Sequence, residues 1–188
     1  NNIAKQLCAK DPEDFTVIIA ERQTGGRGRS GKSFYSPSGD GLYLSIVLSP
    51  DATLFEATAI TPLTAVIVTE VLGELTGKQP QIKWVNDIFI NGKKVCGILT
   101  EAIFDHEQDK LSAVIVGIGI NLTTTDFPTE IEGIAGSVGN IDRYILTAEI
   151  FKRLKKACDK INTRNFMERY RKYSLVIEKE ITFSSIYI

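Results

Sequence analysis

The sequence predicts an α+β, two-layer domain: a mixed, mostly antiparallel β-sheet backed by helices. Three observations carry that prediction. Short β-branched runs joined by hairpin signals fill the middle of the chain. One long stretch, apolar on nearly every side, reads as a buried helix. Amphipathic helical segments then follow the strands instead of alternating with them.

Residues 2–10 read as a short helix with Ile3, Ala4, Leu7 and Cys8 on one face, ended by Asp11-Pro12. Residues 15–21 (FTVIIAE) form a β-branched run, hence a buried strand, and residues 41–49 (GLYLSIVLS) form a second. Residues 54–76 predict the core helix, its start delayed or its axis kinked by Pro62. Residues 81–84 are a short strand. Residues 87–90 and 93–102 pair across Asn91-Gly92, the strongest short hairpin signal in the chain. Another strand spans 110–120 and ends in Gly117-Ile118-Gly119-Ile120-Asn121. Thr147 is positioned to cap a helix carrying Ile150, Phe151, Leu154, Cys158 and Ile161, and a second helix is expected over 164–172. Residues 178–188 alternate like a strand.

Composition narrows the function. The 188 residues, 43% hydrophobic and 24% charged, suit one domain and should bury roughly 70% of the unfolded surface. A net charge of −1 excludes a strongly polyanion-seeking protein, and 9% aromatic residues argue against disorder. The longest apolar run, residues 113–120, falls well short of the ~20 residues needed to cross a bilayer. No secretory leader is visible, and the cytoplasm is the expected compartment. The chain opens on Asn1 rather than Met, so upstream sequence is expected. Cys8, Cys96 and Cys158 are too dispersed for a cysteine-rich metal cluster, and a disulfide is not expected. The single histidine, His106, falls in a polar stretch expected to be a hairpin loop. Chemistry needing a placed histidine, such as that of serine hydrolases or zinc hydrolases, is therefore disfavoured.

Four clusters can carry chemistry. Residues 22–39 hold Arg22, Arg27, Arg29 and Lys32, five glycines and no acid. Glycines bring backbone N–H groups close to an anion, and arginines supply forked donors for carboxylate or phosphate. The loop matches neither the Walker A nor the Rossmann spacing, so composition alone also allows a solvated loop. The second cluster is Lys83-Trp84-Val85-Asn86-Asp87, in which Trp84 read by itself is a core anchor with charges at the rim. In the third, Lys93-Lys94-Val95-Cys96-Gly97-Ile98-Leu99, a glycine inside a good strand marks a bulge or a close approach to the backbone. The fourth is Gly117 to Asn121, which helix packing would explain equally well.

In this order, Gly-Arg-Gly-Arg-x-Gly, Lys-Trp-x-Asn-Asp, Lys-x-x-Gly-Ile-Leu and Gly-Ile-Gly-Ile-Asn resemble the catalytic domain of the biotin protein ligases. The resemblance runs over nearly the whole chain. It implies that family's fold, akin to the class II aminoacyl-tRNA synthetases and lipoate ligases, and its two-step reaction. Biotin is activated by Mg·ATP to biotinyl-5′-AMP, then transferred to a lysine of a biotin carboxyl carrier protein domain of a carboxylase. ATP and biotin are thus the expected substrates, with Mg²⁺ entering on ATP; a protein metal site is not identified.

The resemblance also implies roles. Asn1, Gln23, Gly26, Arg27, Gly97, Leu99 and Gly117 would meet biotin. Arg29, Phe34, Lys83, Asn86, Lys94 and Asn121 would meet the nucleotide or adenylate. Lys94, Arg27 and Arg29 would carry the catalytic charge, and Asp87 would orient or deprotonate the incoming lysine amine. Residues 1–178 would be the catalytic domain and 179–188 the start of a C-terminal β-barrel. No DNA-binding helices are seen, so no nucleic-acid partner is expected; neither is a membrane, while a homodimer is admitted.

Departures from the family pattern are local. Phe34 stands where Trp is usual, Val85 replaces Pro, and of a Ser-Thr-Asn biotin motif only Asn1 is present. A lipoate or octanoyl ligase on the same scaffold is the competing reading, though those lack this Gly-Arg-Gly-Arg loop. A catalytically silent biotin or nucleotide sensor is the other. Between Glu149 and Lys172 stand nine Lys/Arg and three acids, which read either as a solvated helix face or as a docking surface for an acidic carrier.

Overall fold

The computed structural model describes residues 1–8, 10, 13–48, 57–105, 110–158, 160–178 and 180. Strands β1 (Val17–Ala20), β2 (Gly41–Leu48), β3 (Gln81–Lys83), β4 (Asp87–Ile90), β5 (Lys93–Asp105) and β6 (Lys110–Asn121) form one sheet. Its order is β1-β2-β6-β5-β4-β3, and every neighbouring pair is antiparallel. The described helices are α1 (Asn2–Cys8), α2 (Ile60–Thr76), α3 (Thr129–Glu132), α4 (Arg143–Cys158) and α5 (Phe166–Tyr173).

The sheet's pleat sorts side chains onto two faces. Leu42, Leu44, Ile46 and Leu48 of β2, with Val114, Val116, Ile118 and Ile120 of β6, point to one face and meet Leu63, Val66, Val71 and Leu72 of α2. Leu146, Ile150 and Leu154 of α4 and Phe166 and Tyr170 of α5 complete that layer. Burying each such side chain is worth about 1.5–3 kcal/mol, so this face holds the sheet and helices together. The opposite face is covered only in part, where Ala4 of α1 packs on Val47, Ala113 and Ile115.

The elements follow local chemistry. Asn91 and Gly92 both take positive φ, 52° and 75°, as a type I′ hairpin turn requires, and so join β4 to β5. Pro62 is the third residue of α2, where a missing N–H costs nothing, and the helix runs on unbroken to Thr76.

Three expectations are corrected. Residues 15–21 are not a buried strand: Phe15 has φ 62°, which turns the chain, and only Val17–Ala20 pair, as a half-buried edge strand. Thr147 does not cap α4, which begins a turn earlier. Asp142 supplies the cap instead, its carboxylate accepting from the Tyr144 and Ile145 N–H groups (2.8 and 3.0 Å), while Thr147 hydrogen-bonds back to the Arg143 carbonyl. The second terminal helix begins at Phe166 rather than 164, because Arg164 takes φ 50°. Among the described residues no disulfide joins Cys8, Cys96 or Cys158. His106, the start of the expected core helix at 54–56 and most of the expected strand at 178–188, with the proposed barrel start, lie outside the described residues.

Candidate active site

The uncovered sheet face carries glycines and polar residues where the other carries Leu and Ile. Tyr43 and Ser45 of β2, Gly97 and Leu99 of β5, and Gly117, Gly119 and Asn121 of β6 line a cavity of about 1210 Å³. The basic loop closes one side of it, through Arg22, Gln23, Arg27, Arg29 and Lys32, and α1 contributes Asn1 and Asn2. Lys83, Asn86, Asp87 and Lys94 line the side nearest β3 and β4.

Phe34 and Asn1 are what approach the strand glycines. Gly97 and Gly119 are register partners on adjacent strands, and the Phe34 ring lies across both. A Cβ on Gly119 would sit 2.6 Å from that ring and one on Gly97 3.3 Å from it. A Cβ on Gly117 would collide with the Asn1 amide, which is held by the Ser45 hydroxyl (2.8 Å) and donates to the Leu99 carbonyl (3.3 Å) and the Glu101 carboxylate (2.7 Å).

Lys94 reaches the cavity through an irregularity. Between Ile88 and Phe89 the β4–β5 register shifts, so that Cys96 pairs with Ile88 but Lys94 with Phe89, leaving Val95 extra on β5. That bulge reverses the alternation, so Lys94 shares a face with Gly97 and Leu99. Its Nζ lies 2.8 Å from Asp87 Oδ2, and its stem passes over the bare backbone of Gly97. Both partners are partly exposed to the cavity, at 34% and 26% of side-chain area. The second Asp87 oxygen and Asn121 Oδ1 are buried and have no hydrogen-bond partner among the described residues. The Asn121 amide nitrogen donates to the Gly136 carbonyl (3.0 Å).

The basic loop folds as a small hairpin. Arg27 and Ser33 form a bridge, Gly28 N–H donates to the Lys32 carbonyl (2.7 Å) and Phe34 N–H to Gly26 (2.9 Å). Gln23 stitches the base by donating to Ser36 Oγ (2.9 Å). Arg27 donates to Asn2 Oδ1 (2.6 Å), and Arg29 reaches Asn86 Oδ1 (3.3 Å), itself anchored by its amide to the Ile98 carbonyl (2.8 Å). Gly26 alone among the sequence-predicted residues is not on the cavity wall. It is backed against the Phe34 carbonyl, where any Cβ would collide. All the others line one cavity: Asn1, Gln23, Arg27, Arg29, Phe34, Lys83, Asn86, Asp87, Lys94, Gly97, Leu99, Gly117 and Asn121.

Sequence reasoning missed three contributors. Glu101, one strand repeat beyond Leu99, binds Lys5 (2.7 Å) and faces Arg27 at 3.6 Å. Its signal is the single acid of the run 93–102. Ser45 had no signal at all. The segment 127–135 lines the cavity through Phe127, Ile131, Ile134 and Ala135 and is pinned by two backbone bonds to Lys94, from Lys94 N–H to Ile134 (2.8 Å) and from Gly136 N–H to Lys94 (2.9 Å). Trp84 is no core anchor: it is 61% exposed and meets Tyr170 edge-on at 5.9 Å. Of the basic stretch, the residues on α4 and α5 lie behind the sheet, with Arg153 paired to Glu74 and Glu149 and Arg169 to Glu70.

Burial raises the Cys96 thiol pKa well above its usual range, so it is no nucleophile. Burial, with Asp40 and Tyr35 adding to it, pushes Tyr43 up to about 12; it stays protonated and donates to the Pro37 carbonyl (2.8 Å). Among the described residues no three His, Cys, Asp or Glu side chains are grouped to hold a metal ion, and no helix is long and apolar enough to cross a membrane.

Known proteins resemble this chain in sequence and fold. Over 137 residues the chain is 42% identical to the bifunctional ligase/repressor BirA of Bacillus subtilis, a match spanning 72% of this chain and 42% of that protein. It is 36% identical over 107 residues to a biotin–[acetyl-CoA-carboxylase] ligase of Paracoccus denitrificans, 56% of this chain and 43% of the relative. The chain spans about half or less of the length of the curated relatives it matches. The structure superposes on the biotin protein ligase of Aquifex aeolicus in complex with biotin and ATP with a TM-score of 0.75 and 29% identity, covering 92% of this chain and 74% of the other. The profile of the Biotin/lipoate A/B protein ligase family matches residues 1–121, the span from Asn1 through the cavity strands to Asn121, and the chain belongs to that family.

Proposed function

We propose that this chain is the catalytic part of a biotin protein ligase, which activates biotin with ATP and passes it to a lysine of a carboxylase's biotin carrier domain. The observation that carries the proposal is the shared cavity of Arg27, Arg29 and Lys94 on a sheet face left open by the helices. The likeness to a ligase described with both biotin and ATP supports it.

The chemistry fits the residues. A carboxylate oxygen attacks the ATP α-phosphorus, the bond to the β-phosphate side breaks, and pyrophosphate leaves. Two anions must meet, and cations gathered on one cavity wall reduce their repulsion. Lys94 bridges carboxylate and α-phosphate in this reading, which its ion pair with Asp87 on the cavity wall supports. Arg27 and Arg29, with the loop's N–H groups, hold the biotin carboxylate and the phosphates and retain the adenylate. Asn1, Gln23, Leu99 and Gly117 shape the biotin side; Phe34, Lys83, Asn86 and Asn121 the nucleotide side. In the second step the carrier lysine attacks the acyl carbonyl and AMP leaves. Asp87, through the carboxylate oxygen that it shares with Lys94, orients or deprotonates that amine, since an ammonium cannot attack. Mg²⁺ would arrive on the nucleotide, held chiefly by phosphate oxygens.

The test is incubation with ATP, Mg²⁺ and labelled biotin or lipoate, followed by addition of carrier domain. Biotinyl-AMP and a biotin-labelled carrier are expected. Lipoyl-AMP without biotinyl-AMP supports the lipoate reading, and biotin binding without pyrophosphate release supports a silent sensor.

A further inference from the structure

Glu101 joins three segments that are distant in sequence. Its carboxylate, 20% exposed, accepts from Lys5 Nζ of α1 and from the Asn1 amide (2.7 Å each), and faces the Arg27 guanidinium of the basic loop at 3.6 Å. Asn1 is tied onward to Ser45 and Leu99, and Arg27 to Asn2. Glu101 also walls a smaller pocket of about 410 Å³ under the loop, with Arg27, Arg29, Lys32 and Leu99. Burial opposes its ionisation, yet the hydrogen bonds from Lys5 and Asn1 and the charges of Lys5 and Arg27 outweigh that and hold the carboxyl below its ordinary range.

We propose that Glu101 is a positioning residue, holding Asn1 and Arg27 where they meet the carboxylic-acid substrate without touching that substrate itself. The proposal rests on the reading that this substrate is biotin. A guanidinium on a loop has many rotamers, and a carboxylate beside it narrows them. At 3.6 Å the contact is coulombic and too long for a good hydrogen bond. An incoming carboxylate can therefore recruit Arg27 without first breaking a tight pair. Without the charge on Glu101, Lys5 and Arg27 lose the anion between them, and Arg27 is left with its hydrogen bond to Asn2 and a wider choice of rotamers. Lys94, Arg29 and Asn86 are not joined to Glu101 by any contact described here, so the nucleotide side should be spared.

The experiment is steady-state biotinyl-AMP formation by the intact chain, comparing wild type, Glu101→Gln, Glu101→Asp, Arg27→Gln and Glu101→Gln/Arg27→Gln. Glu101→Gln should raise KM for biotin about tenfold, with kcat changed less than about threefold and KM for ATP less than about twofold. Glu101→Asp, which keeps the charge at shorter reach, should recover most of the loss and serves as the test if the Gln variant does not fold. The double variant should bind biotin only slightly worse than Arg27→Gln alone, the remainder being the share carried through Asn1 and well short of the product of the two single losses. An unchanged KM for biotin in Glu101→Gln, an equal rise in both KM values, or multiplying effects in the double variant would overturn the proposal. A wild-type chain that forms no biotinyl-AMP overturns the parent reading instead.

Discussion

The two faces of the sheet are made by the same strands and obey opposite rules. On β6, Val114, Val116, Ile118 and Ile120 are fully buried against helices, whereas Gly117, Gly119 and Asn121 between them face a cavity. One face is selected for volume, the other for its absence: Phe34 and Asn1 lie where side chains would have been. The lesson is that an alternating strand can encode stability and a binding site at once, residue by residue.

Substitutions on either face should separate the two roles. The largest effect is expected at Lys94. Lys94→Gln removes a cavity cation and should slow biotinyl-AMP formation about 10²–10³-fold, with little change in melting temperature because the side chain is partly exposed. Next, Ile120→Ala on the helix face should cost about 2–5 kcal/mol in denaturant unfolding while the folded fraction keeps its biotin affinity. Its neighbour Gly119→Ala should do the reverse, displacing the Phe34 ring and weakening ligand binding about tenfold by calorimetry, at a stability cost of about 1 kcal/mol or less. Equal stability losses at 119 and 120 would break the comparison.

Acid should act on the cavity face through Glu101. Its carboxyl is held below the ordinary 4.5, so its stabilising contribution is complete above that value and is lost as pH falls through the lowered one. Between pH 5 and 3, wild type should therefore lose more stability than Glu101→Gln, measured by thermal melts. The smallest effect is expected behind the sheet: Lys152→Gln/Lys155→Gln/Lys156→Gln should leave carrier labelling within about twofold at physiological salt, since surface charges a Debye length or more away are screened. A steep loss there would restore α4 as the docking surface.

What was legible in the sequence was what is local. Asn91-Gly92 specified its hairpin because two adjacent residues must both take positive φ. The apolar run of α2 specified burial. Nearly every residue named by the ordered glycine, arginine and lysine motifs lies on the cavity wall, because each reaches the site from its own loop or strand end. Illegible features depend on distant partners. The bulge at Val95 reverses which residues face the cavity, and no residue type announces it. Glu101 matters only because Lys5, Asn1 and Arg27 converge on it in space. Trp84 reads as core by hydrophobicity, but its neighbours leave it on the surface. Asp142, the real cap of α4, was hidden in an irregular acidic stretch.

The most direct measurement is a single-turnover reaction of the chain in excess over α-phosphate-labelled ATP, with Mg²⁺ and with biotin present or absent, resolved for labelled acyl-adenylate. Biotin-dependent appearance of labelled biotinyl-AMP, lost in Lys94→Gln, is the predicted result. Binding of both biotin and ATP to a folded chain with no labelled adenylate formed would contradict the claim that this cavity brings two anions together to react.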